Sequence, residues 1–129
     1  EVWFAGGRPL SEVCPPEMSD AFPEEFTVEA GDYCIVKPRF SAFFSTQLDL
    51  LLRRLGVDTV ILAGTTTPNC IRTTCYDALS LDYDVVVLSD CTSSVSDEVQ
   101  SANLRDMARI GARICTGAEL PTLLGEARA

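Results

Sequence analysis

Cys70 is the residue of this sequence whose position best suits it for chemistry. It ends the segment TTTPNC, residues 65–70, between a predicted strand and a predicted helix. The positive end of a helix dipole favours a thiolate, the nucleophilic form of cysteine. Unpaired amides of the first helical turn can also stabilise the oxyanion that forms when a carbonyl is attacked. This position is compatible with either a nucleophile or a further core thiol.

Lys37 is the second candidate, and it is the only lysine in the chain. It follows the apolar run YCIV, so it is predicted to lie at the end of a strand. In open α/β sheets, functional sites form outside the carboxyl ends of the strands. Lys37 could be a solvated strand end, or a cation that stabilises the Cys70 thiolate. Asp90, at another strand end, is expected to organise a turn rather than to contact substrate.

The remaining cysteines are expected to be core thiols. The sequence has six cysteines, at positions 14, 34, 70, 75, 91 and 115, most of them within apolar stretches. Free cysteine is among the most buried residue types, and unpaired thiols are typical of a reducing cytosol. We therefore expect a cytoplasmic location. Histidine and C-x-x-C motifs are absent from the sequence, which argues against zinc, thioredoxin-like and Cys-His chemistry.

The net charge and the length of the chain exclude further kinds of binding partner. The 129 residues carry a formal net charge of −9, which disfavours binding to nucleic acid phosphates. We find no signal-peptide pattern and no apolar run near the roughly 20 residues that cross a bilayer. The sequence therefore predicts a single domain that binds neither nucleic acid nor membrane.

Strand and helix patterns alternate after an irregular segment that spans residues 1–31. Apolar strand-like runs occupy residues 33–37, 59–63, 85–89 and 112–116, and helical patterns lie between and after them. Continuous apolar strands that alternate with helices favour a parallel sheet covered on both faces. The predicted fold is α/β, with three α-β-α layers. Capping boxes are expected at Thr46–Asp49 and Ser94–Asp97, and Gly56 is expected to end the first helix.

Several ordered motifs resemble the isochorismatase-like cysteine hydrolases, which include nicotinamidases, N-carbamoylsarcosine amidohydrolase and ureidoacrylate amidohydrolases. The motifs are KPRFSAFF, LGVDTVILAG, the T-x-x-C loop, the T-x-x-D-A helix and the S-D strand end. Together they cover about residues 28–117. The resemblance implies a Rossmann-like isochorismatase fold and one hydrolase domain over residues 1–129.

This resemblance also implies roles for individual residues. The family uses an Asp-Lys-Cys triad, in which the lysine corresponds to Lys37 and the nucleophile to Cys70. A non-prolyl cis peptide of the family corresponds to Thr65–Thr66. The backbone amides of Thr66 and Cys70 would then form the oxyanion hole.

One part of the family pattern has no counterpart. The triad aspartate of the family lies in an N-terminal segment resembling D-x-Q-x-x-F, and no such segment occurs here. We therefore expect the domain to be incomplete at its N-terminus, with this segment missing, and residues 1–129 alone to be inactive and poorly stable. The metal ligands of nicotinamidase-like members include histidines from the same region, so no metal and no other cofactor are expected.

The implied reaction is cleavage of a C–N bond in a small amide or carbamoyl compound, through a Cys70 thioester and with release of ammonia. Isochorismatase-type or nicotinamidase-type hydrolysis, a thiol-exchange carrier and a catalytically dead homologue are the alternatives. Family members form dimers or tetramers, so a homo-oligomer is expected. Tentative substrate contacts are Phe43, Phe40, Trp3, Arg39 and Asn69. Arg72 could also meet a substrate carboxylate or a neighbouring subunit.

Overall fold

The computed structural model describes residues 27–126, and the chain divides into two units between Val36 and Lys37. Within residues 27–126, all the regular elements lie in the second unit. Its strands are β1 (Thr59–Thr65), β2 (Asp84–Ser93) and β3 (Arg113–Cys115); its α-helices are α1 (Leu48–Leu55), α2 (Arg72–Ser80), α3 (Asp97–Arg109) and α4 (Leu120–Glu126). None of the helices in this described part is long and apolar enough to cross a membrane.

The three described strands form one parallel sheet in the order β1-β2-β3. Val60 pairs with Val85 across the first ladder, and Val87 pairs with Ile114 across the second. Each parallel connection contains a helix, as the geometry of parallel strands requires. The predicted α/β class with a parallel sheet is confirmed.

Side chains of β2 alternate between two apolar clusters. Val85 and Val87 pack on one face in a cluster that also contains Cys75 of α2 and Met107 of α3. Val86 and Leu88 pack on the opposite face with Cys115, beneath Leu120 and Leu123 of α4. A strand buried on both faces needs apolar residues at consecutive positions, which is why this segment reads as a continuous run.

The strand predicted over residues 33–37 is not present. These residues have no regular secondary structure, and the Tyr33 and Val36 side chains are 63% and 70% exposed. A strand is stabilised by hydrogen bonds to a neighbouring strand, and the described residues contain no such partner for this segment. An apolar run alone therefore led to a wrong assignment here.

The Thr46 hydroxyl accepts a hydrogen bond from the Leu48 N–H at 3.2 Å at the start of α1, but neither predicted capping box forms. Gly56 ends α1 with a φ of 67°, a left-handed conformation that glycine adopts without a Cβ penalty. The Asp49 carboxylate instead accepts a hydrogen bond from the Tyr83 hydroxyl at 2.8 Å. At the start of α3 the cap is Ser96, whose Oγ accepts from the Val99 N–H at 3.3 Å.

Candidate active site

The loop that carries Cys70 begins where β1 departs from regular pairing. The register with β2 shifts between Leu62 and Gly64, after which Thr65 pairs with Ser93. Gly64 has a φ of 122°, in the region that favours glycine. The peptide bond between Thr65 and Thr66 is cis, at the position that the family resemblance implied.

Cys70 lies within a single π-helical turn, Thr67–Ile71, that leads directly into α2. The Thr66 carbonyl accepts hydrogen bonds from the N–H groups of Asn69 at 3.1 Å and Ile71 at 3.4 Å. Pro68 lies near the start of this turn, where its missing N–H is not needed. The sequence predicted that a helix begins close to Cys70. The structure adds a single π-helical turn before that helix.

Thr67 anchors the loop to the sheet. Its side chain is fully buried, and its hydroxyl donates to the Ser93 carbonyl at the end of β2 at 3.0 Å. Ile71 is also buried and belongs to the apolar core. The two ends of the turn are therefore fixed by a buried hydrogen bond and by packing, and Cys70 lies between them.

Lys37 and Cys70 are brought together in the fold. The Lys37 ammonium donates a hydrogen bond to the Cys70 sulfur over 3.3 Å, across 33 residues of sequence. It also donates to the Arg39 carbonyl at 3.0 Å. The Lys37 side chain is exposed and Cys70 is half-buried, so the pair is open to small molecules. A cation in contact with a thiol favours its thiolate form.

Thr74 links the segment that carries Lys37 to the helix that follows Cys70. The hydroxyl of this buried residue accepts a hydrogen bond from the Ala42 N–H at 3.0 Å. Nearby, the buried Ser41 hydroxyl accepts from the Phe43 N–H at 3.1 Å. Thr74 belongs to the T-x-x-D-A motif, and no role was predicted for it. Its hydroxyl on the apolar side of a predicted helix was the one sign that it needs a hydrogen-bond partner.

Cys75, five residues beyond Cys70, is a different kind of thiol. Its side chain is fully buried in the core, and burial raises the pKa of the thiol from 9.0 to about 11. Burial in apolar surroundings makes cysteine unreactive. The structure therefore places Cys75 as a packing residue and not as a resolving thiol for Cys70.

Cys115 is buried as expected, whereas Cys34 and Cys91 are exposed. The expectation of core thiols was therefore wrong for these two residues. Cys34 lies in the segment that forms no strand and so has no sheet to cover it. Cys91 lies near the end of β2, beyond the part of the strand that both clusters cover. Cys14 lies outside the described residues.

The sequence can now be placed among known proteins. A family model described as the Isochorismatase domain matches residues 5–119. The chain belongs to the isochorismatase family.

Curated isochorismatase-family relatives share the matched region but are longer. The chain is 49% identical to a probable inactive nicotinamidase of Arabidopsis thaliana over 68% of its length and 45% of the relative's. It is 34% identical to a maleamate amidohydrolase of Pseudomonas putida, with 82% and 50% coverage. For a ureidoacrylate amidohydrolase of Yersinia enterocolitica the identity is 41%, with 65% and 37% coverage. The chain spans about half the length of the curated relatives it matches.

Solved structures agree with the isochorismatase fold. An isochorismatase family protein from Desulfovibrio vulgaris is similar with a TM-score of 0.75 and 44% identity, covering 77% of this chain and 52% of that one. An isochorismatase-like hydrolase from Alkaliphilus metalliredigens has a TM-score of 0.77 and 35% identity, covering 81% and 58%.

The predicted pocket residues of this isochorismatase-family chain separate into two groups. Arg39 and Phe40 are exposed and line a groove of about 330 Å³ together with Phe44, Thr73 and Asp77. Phe43 instead packs against the core, with its ring centroid 5.8 Å from that of Tyr83. The expectation that Phe43 walls the substrate pocket is therefore replaced by a packing role.

Asn69 is exposed, and its side-chain amide donates to the Thr66 hydroxyl at 3.2 Å. This contact braces the loop around Cys70 and leaves the Asn69 amide on the loop surface. Trp3, the remaining tentative contact, lies outside the described residues.

Arg72 and Asp90 are held by contacts within the fold. The Arg72 guanidinium donates to the Asn103 amide oxygen at 2.9 Å and lies 3.5 Å from the Asp106 carboxylate, so it joins α2 to α3. The Asp90 carboxylate accepts from the Gly117 N–H at 2.8 Å. That contact ties the end of β2 to the loop after β3, in line with the turn-organising role expected for Asp90.

Neither a carboxylate hydrogen-bonded to the Cys70 thiol nor a metal-ligand cluster is present in the described part of the chain. Within residues 27–126, no carboxylate makes a hydrogen bond with the Cys70 side chain. Over the same range, no group of three or more histidine, cysteine, aspartate or glutamate side chains is placed to hold a metal ion. The described site therefore contains a thiol and an ammonium group in contact.

Proposed function

We propose that this protein is a cysteine amidohydrolase that cleaves a C–N bond of a small amide or carbamoyl compound and releases ammonia. The observation that carries the proposal is the 3.3 Å contact between the Lys37 ammonium and the Cys70 sulfur. Membership of the isochorismatase family and similarity to two amidohydrolases support the reaction class. Each of those relatives has its own named substrate, and the proposal for this chain stays at the level of the bond cleaved.

Cys70 acts as the nucleophile in the proposed reaction. Its thiolate attacks the amide or carbamoyl carbon, and the carbonyl oxygen becomes an oxyanion. The leaving nitrogen takes up a proton and departs as ammonia, which leaves a thioester on Cys70. Water then hydrolyses the thioester and regenerates the thiol.

The proposed oxyanion hole consists of the Thr66 and Cys70 backbone N–H groups. Thr66 lies between the end of β1 and the π-helical turn, next to the cis peptide bond. Thr67 and Ile71 hold this turn in place through burial, and pre-positioned donors of this kind stabilise the charge that develops during attack.

Lys37 stabilises negative charge in two successive states of the proposed mechanism. Before attack its ammonium stabilises the Cys70 thiolate, and during attack it lies beside the developing tetrahedral intermediate. Its exposed position weakens each interaction through solvent screening. Substrate binding that excludes water would strengthen both.

The proposal requires a base that accepts the Cys70 proton. We assign it to an aspartate outside this sequence, as the family resemblance implies. Arg39, Phe40 and Asn69 remain the proposed substrate contacts, and a dimer or tetramer remains the proposed assembly.

A catalytically inactive homologue is the second candidate. It is favoured by the described residues having no carboxylate in contact with Cys70, and by the similarity to a relative named as probably inactive. In this case the Lys37–Cys70 pair would remain as a small-molecule binding site without turnover.

Ammonia release from a panel of small amides and carbamoyl compounds tests the proposal in the full-length protein. We expect turnover in the natural sequence, loss of turnover in Cys70→Ala, and retention in the matched control Cys75→Ala, once folding of each variant is verified. Full activity in Cys70→Ala would refute the covalent mechanism. A lack of turnover across the panel, in a protein whose Cys70 still reacts with iodoacetamide, would support the inactive homologue.

A further inference from the structure

The Lys37–Cys70 pair has the properties of a site for covalent modification by an oxidant. The sulfur is half-buried rather than enclosed, and the lysine beside it is exposed. A molecule as small as a peroxide can therefore reach the sulfur. Oxidation of a cysteine depends on the exposure of its sulfur, which favours the half-buried Cys70 over the fully buried Cys75.

The Lys37 amine is the nucleophile in contact with this sulfur. Its other described contact is the neutral Arg39 carbonyl, and within residues 27–126 it forms no salt bridge with an acidic side chain. Its nitrogen already lies 3.3 Å from the sulfur.

Of the thiols that could compete for an oxidised Cys70 in the described part of the chain, two are exposed, Cys34 and Cys91. Cys75 and Cys115 are buried, and all five described cysteines are free rather than disulfide-bonded. Burial also raises the pKa of the Cys75 thiol to about 11, which keeps it protonated at neutral pH. Against the exposed thiols, the Lys37 amine has the advantage that it already lies in contact with the Cys70 sulfur at 3.3 Å.

We propose that hydrogen peroxide converts the Lys37–Cys70 pair into a reversible sulfur–nitrogen crosslink, a sulfenamide. Peroxide first oxidises the Cys70 thiol to sulfenic acid and is itself reduced to water. The unprotonated Lys37 amine then attacks the sulfur, an S–N bond forms, the S–O bond breaks, and the hydroxyl leaves as water with a proton from the amine. The sum is one thiol, one amine and one peroxide giving one sulfenamide and two waters.

The crosslink would switch off the site and protect it. The crosslink occupies both Cys70, the proposed nucleophile, and Lys37, its cation, and would therefore block the proposed reaction. This regulatory role rests on the proposed function. The crosslink also removes the sulfenic acid before further peroxide makes sulfinic acid, a step that thiols do not reverse. A first external thiol opens the S–N bond to give a mixed disulfide and the free amine. A second external thiol releases Cys70 and forms the disulfide of the two external thiols.

Peptide mapping of the full-length protein after limited hydrogen peroxide treatment tests the crosslink. We expect the peptides that contain Lys37 and Cys70 to be joined, with a loss of two hydrogen atoms relative to the separate peptides. Reduction should separate them and return one alkylatable thiol. Lys37 is the only lysine of this sequence, which simplifies the assignment of the amine.

A disulfide between Cys34 and Cys70 would have the same mass, so two variants are needed. Cys34→Ser should retain the crosslink. Lys37→Arg should lose it, because a guanidinium keeps the charge but stays protonated and does not attack. In Lys37→Arg, Cys70 should instead accumulate sulfinic acid, which reduction does not reverse. Circular dichroism would verify that both variants are folded.

Two results would overturn the proposal. One is a crosslink that persists in Lys37→Arg, which would indicate a disulfide. The other is accumulation of sulfenic or sulfinic acid on Cys70 of the natural sequence with no joined peptides. The outcome is separable from the proposed function, because the crosslink is measured without substrate. A reduced protein that releases ammonia but forms no crosslink under peroxide would refute only the crosslink, and a protein that forms the crosslink but shows no turnover when reduced would refute only the amidohydrolase.

Discussion

The hydroxyl of Thr74 accepts a hydrogen bond from the Ala42 backbone N–H at 3.0 Å. This contact joins the segment that carries Lys37 to the helix that begins just after Cys70. The Thr67–Ser93 contact separately anchors the cysteine loop to β2. The Lys37–Cys70 geometry therefore depends on two hydroxyl groups that belong to threonines without a chemical role of their own.

Replacing Thr74 with valine should destabilise the protein. The substitution keeps the shape but leaves the Ala42 N–H without its acceptor, which costs about 1–3 kcal/mol for a buried group. Chemical denaturation measures the change in the free energy of unfolding. Ser80→Ala is the matched control on the same helix, because Ser80 is exposed and its hydroxyl bonds only to the Tyr76 carbonyl of that helix. We expect the control to remain within about 0.5 kcal/mol of the natural sequence, and an equal effect in both variants would contradict the positioning role of Thr74.

Replacing Lys37 with methionine should slow alkylation of Cys70 by iodoacetamide. Loss of the ammonium removes the donor that stabilises the thiolate, and we expect a reduction of roughly threefold to tenfold because the contact is exposed. Mass spectrometry of the alkylated peptide over time gives the rate. Lys37→Arg keeps the positive charge and should retain most of the reactivity. Equal rates in the natural sequence and in Lys37→Met would mean that the contact does not activate the thiol.

The buried thiol of Cys75 should make stability fall in alkaline solution. In the unfolded chain the thiol ionises above about pH 9, whereas the pKa in the folded protein is about 11. Between pH 9 and pH 11 the Cys75 thiol loses its proton only in the unfolded state. This deprotonation lowers the free energy of unfolding by about 2 kcal/mol at pH 11. Below pH 9 both states hold the proton and the contribution disappears.

The free energy of unfolding from pH 8 to pH 11, measured for the natural sequence and for Cys75→Ala, isolates this contribution. Other groups titrate in the same range, but they are common to both proteins. The stability of the natural sequence relative to Cys75→Ala should fall by about 2 kcal/mol as pH rises from 9 to 11, whatever constant difference the cavity left by alanine adds. Cys34→Ala, which removes an exposed thiol, is the control. Parallel curves for the natural sequence and Cys75→Ala would refute the prediction.

Replacing Gly64 with alanine should destabilise the loop that precedes Cys70. A φ of 122° is unfavourable for residues with a Cβ, and we expect a cost of about 1–3 kcal/mol. The atom nearest to the added methyl group would be Ile71 Cδ1 at 3.9 Å, an ordinary contact, so the cost comes from the backbone and not from a clash. Thermal unfolding measures the loss of stability, and the Cys70 alkylation rate reports on the loop that carries the thiol.

Gly125→Ala is the control for this substitution. Gly125 lies in α4 with nothing near its added Cβ, and alanine in a helix should be neutral or stabilising by up to about 1 kcal/mol. If Gly64→Ala were as stable as Gly125→Ala, the left-handed conformation at Gly64 would not be required by the fold.

Much of the fold could be predicted because it is encoded in local patterns. The apolar run in β2 indicated a strand buried on both faces, and Val85 to Leu88 alternate between the two clusters as that pattern requires. The apolar run over residues 33–37 looked similar but forms no strand. Burial of a strand depends on a partner elsewhere in the chain, which a local pattern does not contain.

The same distinction explains the cysteines and phenylalanines. Cys34 and Cys75 both lie in apolar contexts, yet one is exposed and the other is in the core. Phe40 and Phe43 are three residues apart, and only Phe43 packs against Tyr83. In each pair the residue type is the same, and the difference in burial comes from the elements that pack against each side chain.

By itself, the sequence determined the residue types with chemical potential, the alternation of strands and helices, and the family to which they belong. It placed a thiol after β1 and a single lysine far upstream of it. The tertiary structure decided that these two side chains meet, with the Lys37 nitrogen 3.3 Å from the Cys70 sulfur. Periodicity and turn chemistry act over a few residues, whereas a contact across 33 residues exists only after the sheet, the π-helical turn and the Thr74 hydrogen bond have brought both segments to one place.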